Sequence, residues 1–550
     1  MRSPGASAVL DVWQLQDAQP ELLAAAGQGY EALAEGAGRA LAGVHAATGK
    51  AGGCWTGPAA LQAQLALAAH CAQLEAAHLE SAALGALLRD AASEFGVARE
   101  QLLRALADAE RAGCAVAADG TVSAPPPGAA ERHDGDAMDA RARTRQAIAE
   151  RVAQAVRAAD DADRRIAERL DRLAAGDAVD PATAREDAAA VRQLIGAALP
   201  PASAPPAEVT AWWRALPPGR RELLVQQCPE LVGNRDGIPA EDRDRANRIA
   251  LQRCLDGDAV GSVGFRAIRA RLDQDAGRHP PTLLLGLSGE GLGQGQCRGR
   301  GILCFGNPDT ARNISAYVPG VGTELEDIAG RDGDRALNVW TAAHAADPAR
   351  ETASLVWLGY DPPPDPSGLL DGDLAPASVL SADRARDGAA SYDRFLAGLR
   401  ATHQGPPAHL TALGHSYGSL TVGLAGQRPG GTGADDLVLI GSPGTEADHA
   451  ARLGLPADHV WVGAAAHDPV THLPSLGDAL TGNELASDRL WFGPDPAAAA
   501  FGANRFTVAD GPLGFASHSH YLDPSGGDSL PNIGQIVAGH PENVHRRPGR

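Results

Sequence analysis

The first two hundred residues carry apolar side chains at helical spacing. Between positions 22 and 44, and again between 61 and 87, Leu, Ala, Val and Tyr recur three or four residues apart, which is typical of an amphipathic helix. A glycine-rich turn at 52–58 separates the two patterns and ends in Pro58, a residue favoured in the first turn of a helix. The pattern predicts an α-helical hairpin in a first domain over residues 1–116.

A linker rich in Pro, Gly and Ala follows at about residues 117–136. Ile148, Val152 and Ile166 then belong to the apolar positions of a long charged helix, and a second helix is expected before Pro200. The many Arg, Asp and Glu side chains of this region are most simply a solvated face. We interpret residues 137–198 as a helical spacer.

From about residue 205 the pattern changes to short apolar runs that alternate with helical stretches. Helices are expected near 333–346 and 383–402, and the run 533–537 is either a helix or a strand. Strands are expected at 282–287, 302–305, 314–318, 354–358, 409–413, 437–440, 460–463 and 505–508. Such alternation is typical of a mostly parallel sheet with helices on both faces. It predicts an α/β domain over residues 205–550.

Charge and apolar content exclude several classes of protein. Lys and Arg number 48 against 68 Asp and Glu, a net charge of −20, which argues against binding of nucleic acid. No window approaches the roughly 18 apolar residues of a transmembrane helix. The first twenty residues lack the apolar core of a Sec signal peptide. We expect a cytoplasmic protein, or one exported without a Sec signal peptide.

The seven cysteines are too sparse for a disulfide scaffold, and none has the CxxC spacing of a zinc site. Cys297 and Cys304 lie close enough in sequence to cross-link neighbouring strands. Buried free thiols are the simpler interpretation. Both alternatives stay open on the sequence.

The strand at 409–413 runs into Gly414-His415-Ser416-Tyr417-Gly418, which a helical stretch follows. This is the Gly-x-Ser-x-Gly nucleophile elbow in its required context of strand, sharp turn and helix. The two glycines are expected where a Cβ would clash with neighbouring backbone. Ser416 is therefore the predicted nucleophile of a hydrolase.

A serine hydroxyl needs a base, and the base needs an acid that orients it. In proteins with this type of elbow, the three residues follow one another along the chain in the order Ser, then Asp or Glu, then His. Asp468 follows the strand at 460–463 and is the predicted acid, although an Asp before Pro469 also suits a turn cap. His518 and His520 follow the last strand, and spacing alone does not decide which is the base. A metal site at these histidines lacks a matching cluster elsewhere, so none is predicted.

An acyl-transfer reaction also needs two backbone N–H groups to stabilise the negative oxygen of the intermediate. Tyr417, directly after the nucleophile, is expected to supply one of them. Gly320 and Val321, in the loop after the strand at 314–318, are expected to supply the other. A plain tight turn is the alternative interpretation of that loop.

Two resemblances to known families extend this interpretation. The turn Trp55-Thr56-Gly57 between two helices resembles the WXG-type hairpins that accompany type VII secretion, over about residues 1–110. The Tyr-x-x-x-Asp/Glu export signal of that family is missing after the second helix, and an ordinary helical hairpin has the same features. The resemblance implies a small WXG-type helical partner.

The region from about 205 onward resembles an actinobacterial α/β-hydrolase family of unknown function. The matching segments are Val209–Trp213, Gly233–Pro239, Arg245–Arg248, Gly306–Ala311, Val318–Thr323, Val356–Tyr360, Gly414–Ser419, Gly441–Gly444 and His518–Tyr521. The resemblance aligns the family's histidine with His518 and leaves His520 in reserve. It implies an α/β-hydrolase fold and serine hydrolase activity, but no particular substrate. We expect no cofactor.

The sequence thus predicts an α/β hydrolase preceded by an all-α region. Ser416, His518 and Asp468 would cleave an ester or amide bond of a small-molecule or lipid-like substrate through an acyl-enzyme. A second hypothesis is a type VII secretion-associated effector or scaffold. Its helical half would bind a partner, and its hydrolase half would be toxin-like or inactive.

Overall fold

A computed structural model of the chain describes residues 10–51, 57–128, 131–174, 181–256, 262–289, 299–365, 375–474 and 489–548. The chain forms two compact units. Residues 1–199 and 216–228 make up the first, which we call the helical unit, and residues 200–215 and 229–550 make up the second, the sheet unit.

Helices and strands alternate along the sheet unit, whereas the helical unit is nearly all α. The helices are α1 (Val12–Gln16), α2 (Pro20–Ala51), α3 (Pro58–Arg111), α4 (Gly135–Ala174), α5 (Pro181–Gly196), α6 (Pro206–Ala215), α7 (Pro218–Gln227), α8 (Pro229–Gly233), α9 (Ala240–Asp256), α10 (Ser262–Gln274), α11 (Leu325–Ala329), α12 (Arg331–Ala346), α13 (Asp383–Thr402), α14 (Tyr417–Gly426), α15 (Phe515–His518) and α16 (Ser529–Val537). The strands are β1 (Ala115–Val116), β2 (Val122–Ser123), β3 (Thr282–Ser288), β4 (Arg300–Phe305), β5 (Asn313–Val318), β6 (Thr352–Leu358), β7 (His409–His415), β8 (Asp436–Ile440), β9 (Val460–Gly463), β10 (Arg489–Leu490), β11 (Gly493–Pro494) and β12 (Asn504–Arg505).

In the helical unit, α2 and α3 pack antiparallel. Gly27 of α2 lies against Gly85 of α3, where a Cβ on either would come within 2.9 Å of the other's carbonyl oxygen. Helices α4 and α5, in the segment interpreted as a spacer, both pack against α3. Leu102, Ile148 and Val152 are buried together in this core. Residues 52–56, which include Trp55 of the Trp-x-Gly motif, lie outside the described residues.

The sheet unit contains one eight-stranded sheet in the order β12-β9-β8-β7-β5-β6-β4-β3. β4 runs antiparallel to both its neighbours, and the other adjacent strands are parallel. Numbered within the sheet, the order is 1-2-4-3-5-6-7-8. Helices α12 and α16 pack together beside the sheet, as do α13 and α14. The predicted fold class, an α/β-hydrolase fold after a helical region, is confirmed.

Two predicted elements at the end of the chain need refinement. The strand expected at 505–508 is only Asn504–Arg505, followed by one hydrogen bond from the N–H of Phe506 to the carbonyl of Val462. The chain then turns away, because the N–H of Thr507 donates to the carbonyl of His545 instead. The run at 533–537, left open between helix and strand, lies in helix α16.

Polar side chains from the segment before the sheet form hydrogen bonds with the backbone N–H and carbonyl groups along the outer edge of β3. Asn234 accepts from the N–H of Leu287 at 2.9 Å and donates to its carbonyl at 2.8 Å. Asp244 accepts from the N–H of Leu284 at 2.7 Å, and Asn247 donates to the carbonyl of Leu284 at 2.9 Å. Unsatisfied edge groups would offer a template for another chain. These polar residues before the sheet therefore support the fold.

The thiol of Cys304 is free and buried in β4, where its Sγ lies 3.3 Å from the carbonyl oxygen of Gly306. Burial raises the pKa of Cys304, so the group stays a neutral thiol. Cys297, its expected partner in one of the two alternatives, lies outside the described residues. In the part of the chain that is described, no helix is long and apolar enough to cross a membrane.

Strand order determines which edge of the sheet can carry chemistry. After β6 the chain crosses to the far side of β5 to form β7, so the direction of winding reverses beside β5. Crevices at such a switch point, outside the carboxyl ends of the strands, are where α/β sheets bind ligands. The loops after β5, β7, β8, β9 and β12 all begin at this edge, which we call the carboxyl edge.

Candidate active site

Ser416 stands at a strained turn between β7 and α14. Its backbone has φ 57° and ψ −131°, and Glu446 is the other non-glycine residue with positive φ in the described ranges. Such conformations are rare for residues with a Cβ and persist only where the surroundings impose them. The turn lies at the position where the sequence predicts the elbow.

Close backbone contacts explain the two glycines of the elbow. A Cβ on Gly414 would lie 2.6 Å from the Cα of Ser419, and one on Gly418 would lie 2.2 Å from the carbonyl oxygen of Val318. Both neighbours are backbone atoms, which cannot move aside as a side chain could. Ser416 is also held by its N–H, which donates to the carbonyl of Ile440 at 3.0 Å. Close backbone packing at the two glycines and the hydrogen bond of the Ser416 N–H therefore hold this turn in place.

Asp468 and His518 form a hydrogen-bonded pair. His518 Nδ1 lies 2.9 Å from Asp468 Oδ2 and 3.0 Å from Oδ1. Asp468 is fully buried, and its Oδ1 also accepts the N–H of Val470 at 2.9 Å, so the turn-cap role considered for it is present as well. Burial raises the pKa of Asp468, but hydrogen bonds from His518, Tyr521 and the Val470 N–H outweigh it and lower the pKa below its usual value.

The structure brings His518, and not His520, to Asp468. Residues 515–518 form the single turn α15, and the chain then bends so that the His520 N–H donates to the carbonyl of Ser517 at 3.2 Å. His520 is half-buried in this bend. Spacing in the sequence left the two histidines open, and geometry separates them.

Several contacts join the Asp468–His518 pair to the elbow. The ring of His415 lies 4.6 Å from that of His518, centroid to centroid, and its Nε2 donates to the His518 carbonyl at 2.8 Å. Burial, together with nearby His518 and Arg335, keeps the pKa of His415 well below its usual value, so this ring is neutral. A Cβ on Gly441 would lie 3.0 Å from both Asp468 Oδ2 and His518 Nδ1. Gly441 thus leaves room for the pair.

The loop after β5 passes directly against the nucleophile. A Cβ on Gly320 would lie 2.8 Å from Ser416 Cβ and 3.1 Å from Ser416 Oγ. Val321 follows in the same turn, which a hydrogen bond from Tyr360 to the carbonyl of Pro319 holds at 3.2 Å. Tyr417 is the first residue of α14, so its N–H is among the helix donors that have no partner within the helix. The residues expected to stabilise an oxyanion are thus gathered beside Ser416.

Two further residues at this site had no role in the sequence analysis. The hydroxyl of Tyr521 donates to Asp468 Oδ2 at 2.7 Å and accepts the N–H of Ala465 at 3.0 Å. Arg335 of α12 donates to the carbonyl of Ser519 at 3.2 Å and pairs with the fully buried Asp332 at 2.8 Å. The only sequence signal for Tyr521 was its place in the segment His518–Tyr521, and Arg335 had none.

We predict that Tyr521→Phe lowers kcat about tenfold with little change in KM, measured on any ester the protein cleaves. The substitution removes one hydrogen bond to a buried carboxylate, a loss of about 1.5 kcal/mol, and leaves Asp468 less firmly oriented. Tyr392→Phe is the matched control, because Tyr392 is equally buried and donates to the carbonyl of Ala316 at 2.7 Å, away from the site. Equal kcat for Tyr521→Phe and the control would contradict the role of Tyr521.

A separate cavity of about 590 Å³ lies beside β3, β4 and β6. Apolar residues such as Trp357 and Phe395 line it together with the charged side chains of Arg243 and Arg394. Ser416, Asp468 and His518 are not among its lining residues. Within the described ranges there is also no cluster of three or more His, Cys, Asp or Glu side chains that could hold a metal ion.

Part of the chain matches a known family. Residues 295–478 match the family described as "Alpha/beta hydrolase". The matched segment runs from before β4 to just beyond Asp468, so it includes Gly320 and Ser416 but ends before His518. No solved structure gives a significant match.

Similar curated proteins come from mycobacteria. The uncharacterized protein Rv2079 of Mycobacterium tuberculosis is 32% identical over 386 residues, which cover 62% of this chain and 57% of that protein. The uncharacterized protein Mb0988c of Mycobacterium bovis is 35% identical over 182 residues, 31% of this chain and 63% of its own length. The chain thus spans little more than half of the longer relative. Sheet order and family match together show that the C-terminal part of this chain has an α/β-hydrolase fold, and its sequence is similar to uncharacterized mycobacterial proteins.

Proposed function

We propose that the protein is a serine hydrolase that cleaves an ester or amide bond through a Ser416–His518–Asp468 triad. The observation that carries the proposal is the pairing of His518 Nδ1 with buried Asp468 at 2.9 Å, beside a serine held at φ 57°. A structural His–Asp pair would not require a strained serine next to it. Strain of this kind at a sheet's carboxyl edge is typical of a nucleophile elbow.

In the proposed reaction Ser416 Oγ attacks the substrate's carbonyl carbon while His518 Nε2 takes the hydroxyl proton. The tetrahedral intermediate collapses, and His518 returns the proton to the leaving alcohol or amine. Water then attacks the acyl-enzyme with His518 as base, which releases the acid and restores the serine. Asp468 keeps Nδ1 protonated, so that Nε2 is the nitrogen free to accept the proton.

Negative charge on the carbonyl oxygen is stabilised, in this proposal, by backbone N–H groups of Tyr417 and of the Gly320–Val321 turn. The start of α14 also favours negative charge, because the helix dipole is positive at its N-terminus. One such donor is worth on the order of 3 kcal/mol in the transition state. The close approach of Gly320 to Ser416 Oγ supports this arrangement.

A panel of p-nitrophenyl esters of rising acyl length tests the proposal. We expect turnover with a burst of p-nitrophenol equal to the enzyme concentration where deacylation is slow, because the acyl-enzyme forms before water resolves it. Phenyl amides of the same acids are expected to react more slowly. Absence of turnover on every ester, with protein of native circular dichroism, would contradict the proposal.

A second candidate concerns the helical unit, which would bind a small WXG-type helical partner. Leu22 and Leu33 of α2, with Leu61 and Leu65 of α3, are all more than half exposed, an unusual number of solvent-facing leucines for one hairpin. Under this second hypothesis the protein is a secretion-associated effector or scaffold. Isothermal titration with a WXG-type protein encoded nearby should give saturable binding that Leu33→Ser with Leu65→Ser abolishes. No heat of binding would contradict it.

A further inference from the structure

Exposed apolar side chains of the sheet unit concentrate around the proposed active site. The described residues of the sheet unit include six strongly exposed large apolar side chains. Four of them lie in the segments that leave the carboxyl ends of β6, β9 and β12, namely Leu380, Leu473, Leu513 and Phe515, whereas Leu231 and Val263 lie elsewhere. Leu513 is 83% exposed and Phe515 69% exposed. Leu473 follows a short turn that packs against α15, the helix that carries Phe515 and His518.

The loop that carries Leu513 and Phe515 is held in place on both sides. Ser517 Oγ donates to the carbonyl of Asp510 at 2.6 Å, and His467 Nδ1 donates to the carbonyl of Gly511 at 2.8 Å. Gly511 and Gly514 have φ of 66° and 86°, so the backbone turns sharply on either side of Leu513. The two apolar side chains are thus presented to solvent by an anchored loop next to His518.

Charge favours an uncharged occupant for this surface. The protein carries a net charge of −20, which opposes approach to an anionic membrane. The carboxylate of Asp510, the nearest acidic group on the loop, lies 3.6 Å from the guanidinium of Arg547 and accepts the N–H of Ala466 at 3.2 Å. An aggregated neutral ester at this surface would contact apolar side chains and an Asp510 carboxylate whose charge Arg547 offsets.

We infer that Leu513 and Phe515, with Leu473 and Leu380, form a surface that inserts into aggregated neutral lipid and delivers its ester bonds to Ser416. The substrate class is therefore a water-insoluble ester rather than a dissolved small molecule. This inference rests on the proposed function for the cleavage step. Attachment to the lipid requires no turnover, so it can be measured separately.

The test is flotation of the full chain with triolein droplets coated with phosphatidylcholine. Ser416→Ala is present in every arm so that no substrate is consumed. Burying a Leu and a Phe is worth several kcal/mol when complete, so Leu513→Ser with Phe515→Ser should lower the partition constant about ten- to hundredfold. Leu231→Ser with Val263→Ser is the matched control and should partition like the parent. Replacing part of the phosphatidylcholine with phosphatidylglycerol should weaken binding of the parent.

Three results of the flotation would overturn the inference. They are droplet binding by the Leu513/Phe515 variant equal to that of the parent, equal loss in the control pair, or no binding of the parent. A change from dimer to monomer in light scattering of the Leu513/Phe515 variant would overturn it too, since the surface would then join two copies of the chain. With Ser416 restored, the rate on emulsified ester divided by the rate on dissolved ester should be lower in the Leu513/Phe515 variant than in the parent.

Droplet binding without any ester cleavage would support the lipid-binding surface and would reject only the proposed hydrolase function.

Discussion

Ser416→Ala should lower kcat on any cleaved ester by about 10⁴-fold or more, because the residues of a triad act as a unit and the remaining site lacks a nucleophile. KM should change little, since the hydroxyl contributes to the transition state rather than to ground-state binding. The variant should keep its fold. At φ 57° alanine is strained to the same extent as serine, and the elbow is fixed by the N–H of Ser416 and by Gly414 and Gly418.

Ser519→Ala is the matched control for this prediction. Ser519 is exposed, lies next to His518, and contributes its carbonyl to Arg335, which the substitution keeps. We expect its kcat to stay within about twofold of the parent, in keeping with small effects of surface substitutions. Turnover by Ser416→Ala at a rate near that of Ser519→Ala would reject Ser416 as the nucleophile.

Asp468→Asn should lower kcat about 10⁴-fold as well. An amide in this position can donate to Nδ1, which favours the imidazole tautomer that carries its proton on Nε2 and so cannot act as base. The side chain keeps its size, but Tyr521 and the Val470 N–H bind different oxygens of Asp468, so the single amide oxygen can accept from only one of them. Steady-state kinetics of the purified variant measures this effect.

Asp436→Asn provides the matched control, because Asp436 is another buried carboxylate bound by histidines. His409 Nε2 lies 3.0 Å from Asp436 Oδ2, and Asp436 Oδ1 accepts from His459 Nδ1 at 3.1 Å. Asp436 begins β8, however, and lies at the opposite edge of the sheet. We expect lower thermal stability with kcat near that of the parent. Comparable losses of kcat in the two variants would indicate that buried carboxylates of this sheet act on stability, and would contradict a catalytic role for Asp468.

Asp468→Asn should also change how the free energy of unfolding depends on pH. The folded protein holds the pKa of Asp468 below its usual value. Ionised Asp468 therefore contributes stability above the unfolded-state pKa of about 4, and this contribution is lost as the pH falls through the lower folded-state pKa. Urea unfolding between pH 7 and pH 3 should show a smaller decrease in the free energy of unfolding for Asp468→Asn than for the parent. Identical decreases would contradict this coupling.

The sequence predicted the site largely through its strands. Each catalytic candidate lies in the segment that follows a strand predicted from an apolar run, and parallel strands bring their carboxyl ends to one edge. That is why the sequence predicts Ser416 and the Asp468 loop at the same edge of the sheet. The glycines of the elbow were predictable too, because their need for close backbone approach is a local property of the turn.

Contacts made across the fold could not be predicted in this way. The choice of His518 over His520 depends on the single turn α15 and the bend after it, which spacing does not encode. Tyr521 and Arg335 act through hydrogen bonds to residues far away in sequence. The last strand was predicted too long, because Phe506 and Val508 give the run the apolar pattern of a strand although the N–H of Thr507 donates to the carbonyl of His545. The apolar pattern of a segment predicts that its side chains are buried, but it does not predict which backbone groups the segment will hydrogen-bond to.

Labelling with a fluorophosphonate probe, read by intact mass, tests the central claim most directly. The probe reacts with an activated serine and needs no knowledge of the substrate. We predict one adduct on the parent protein, located at Ser416 by peptide mapping, and none on Ser416→Ala. Adduct formation on Ser416→Ala, or no adduct on folded parent protein, would contradict the assignment of Ser416 as an activated nucleophile.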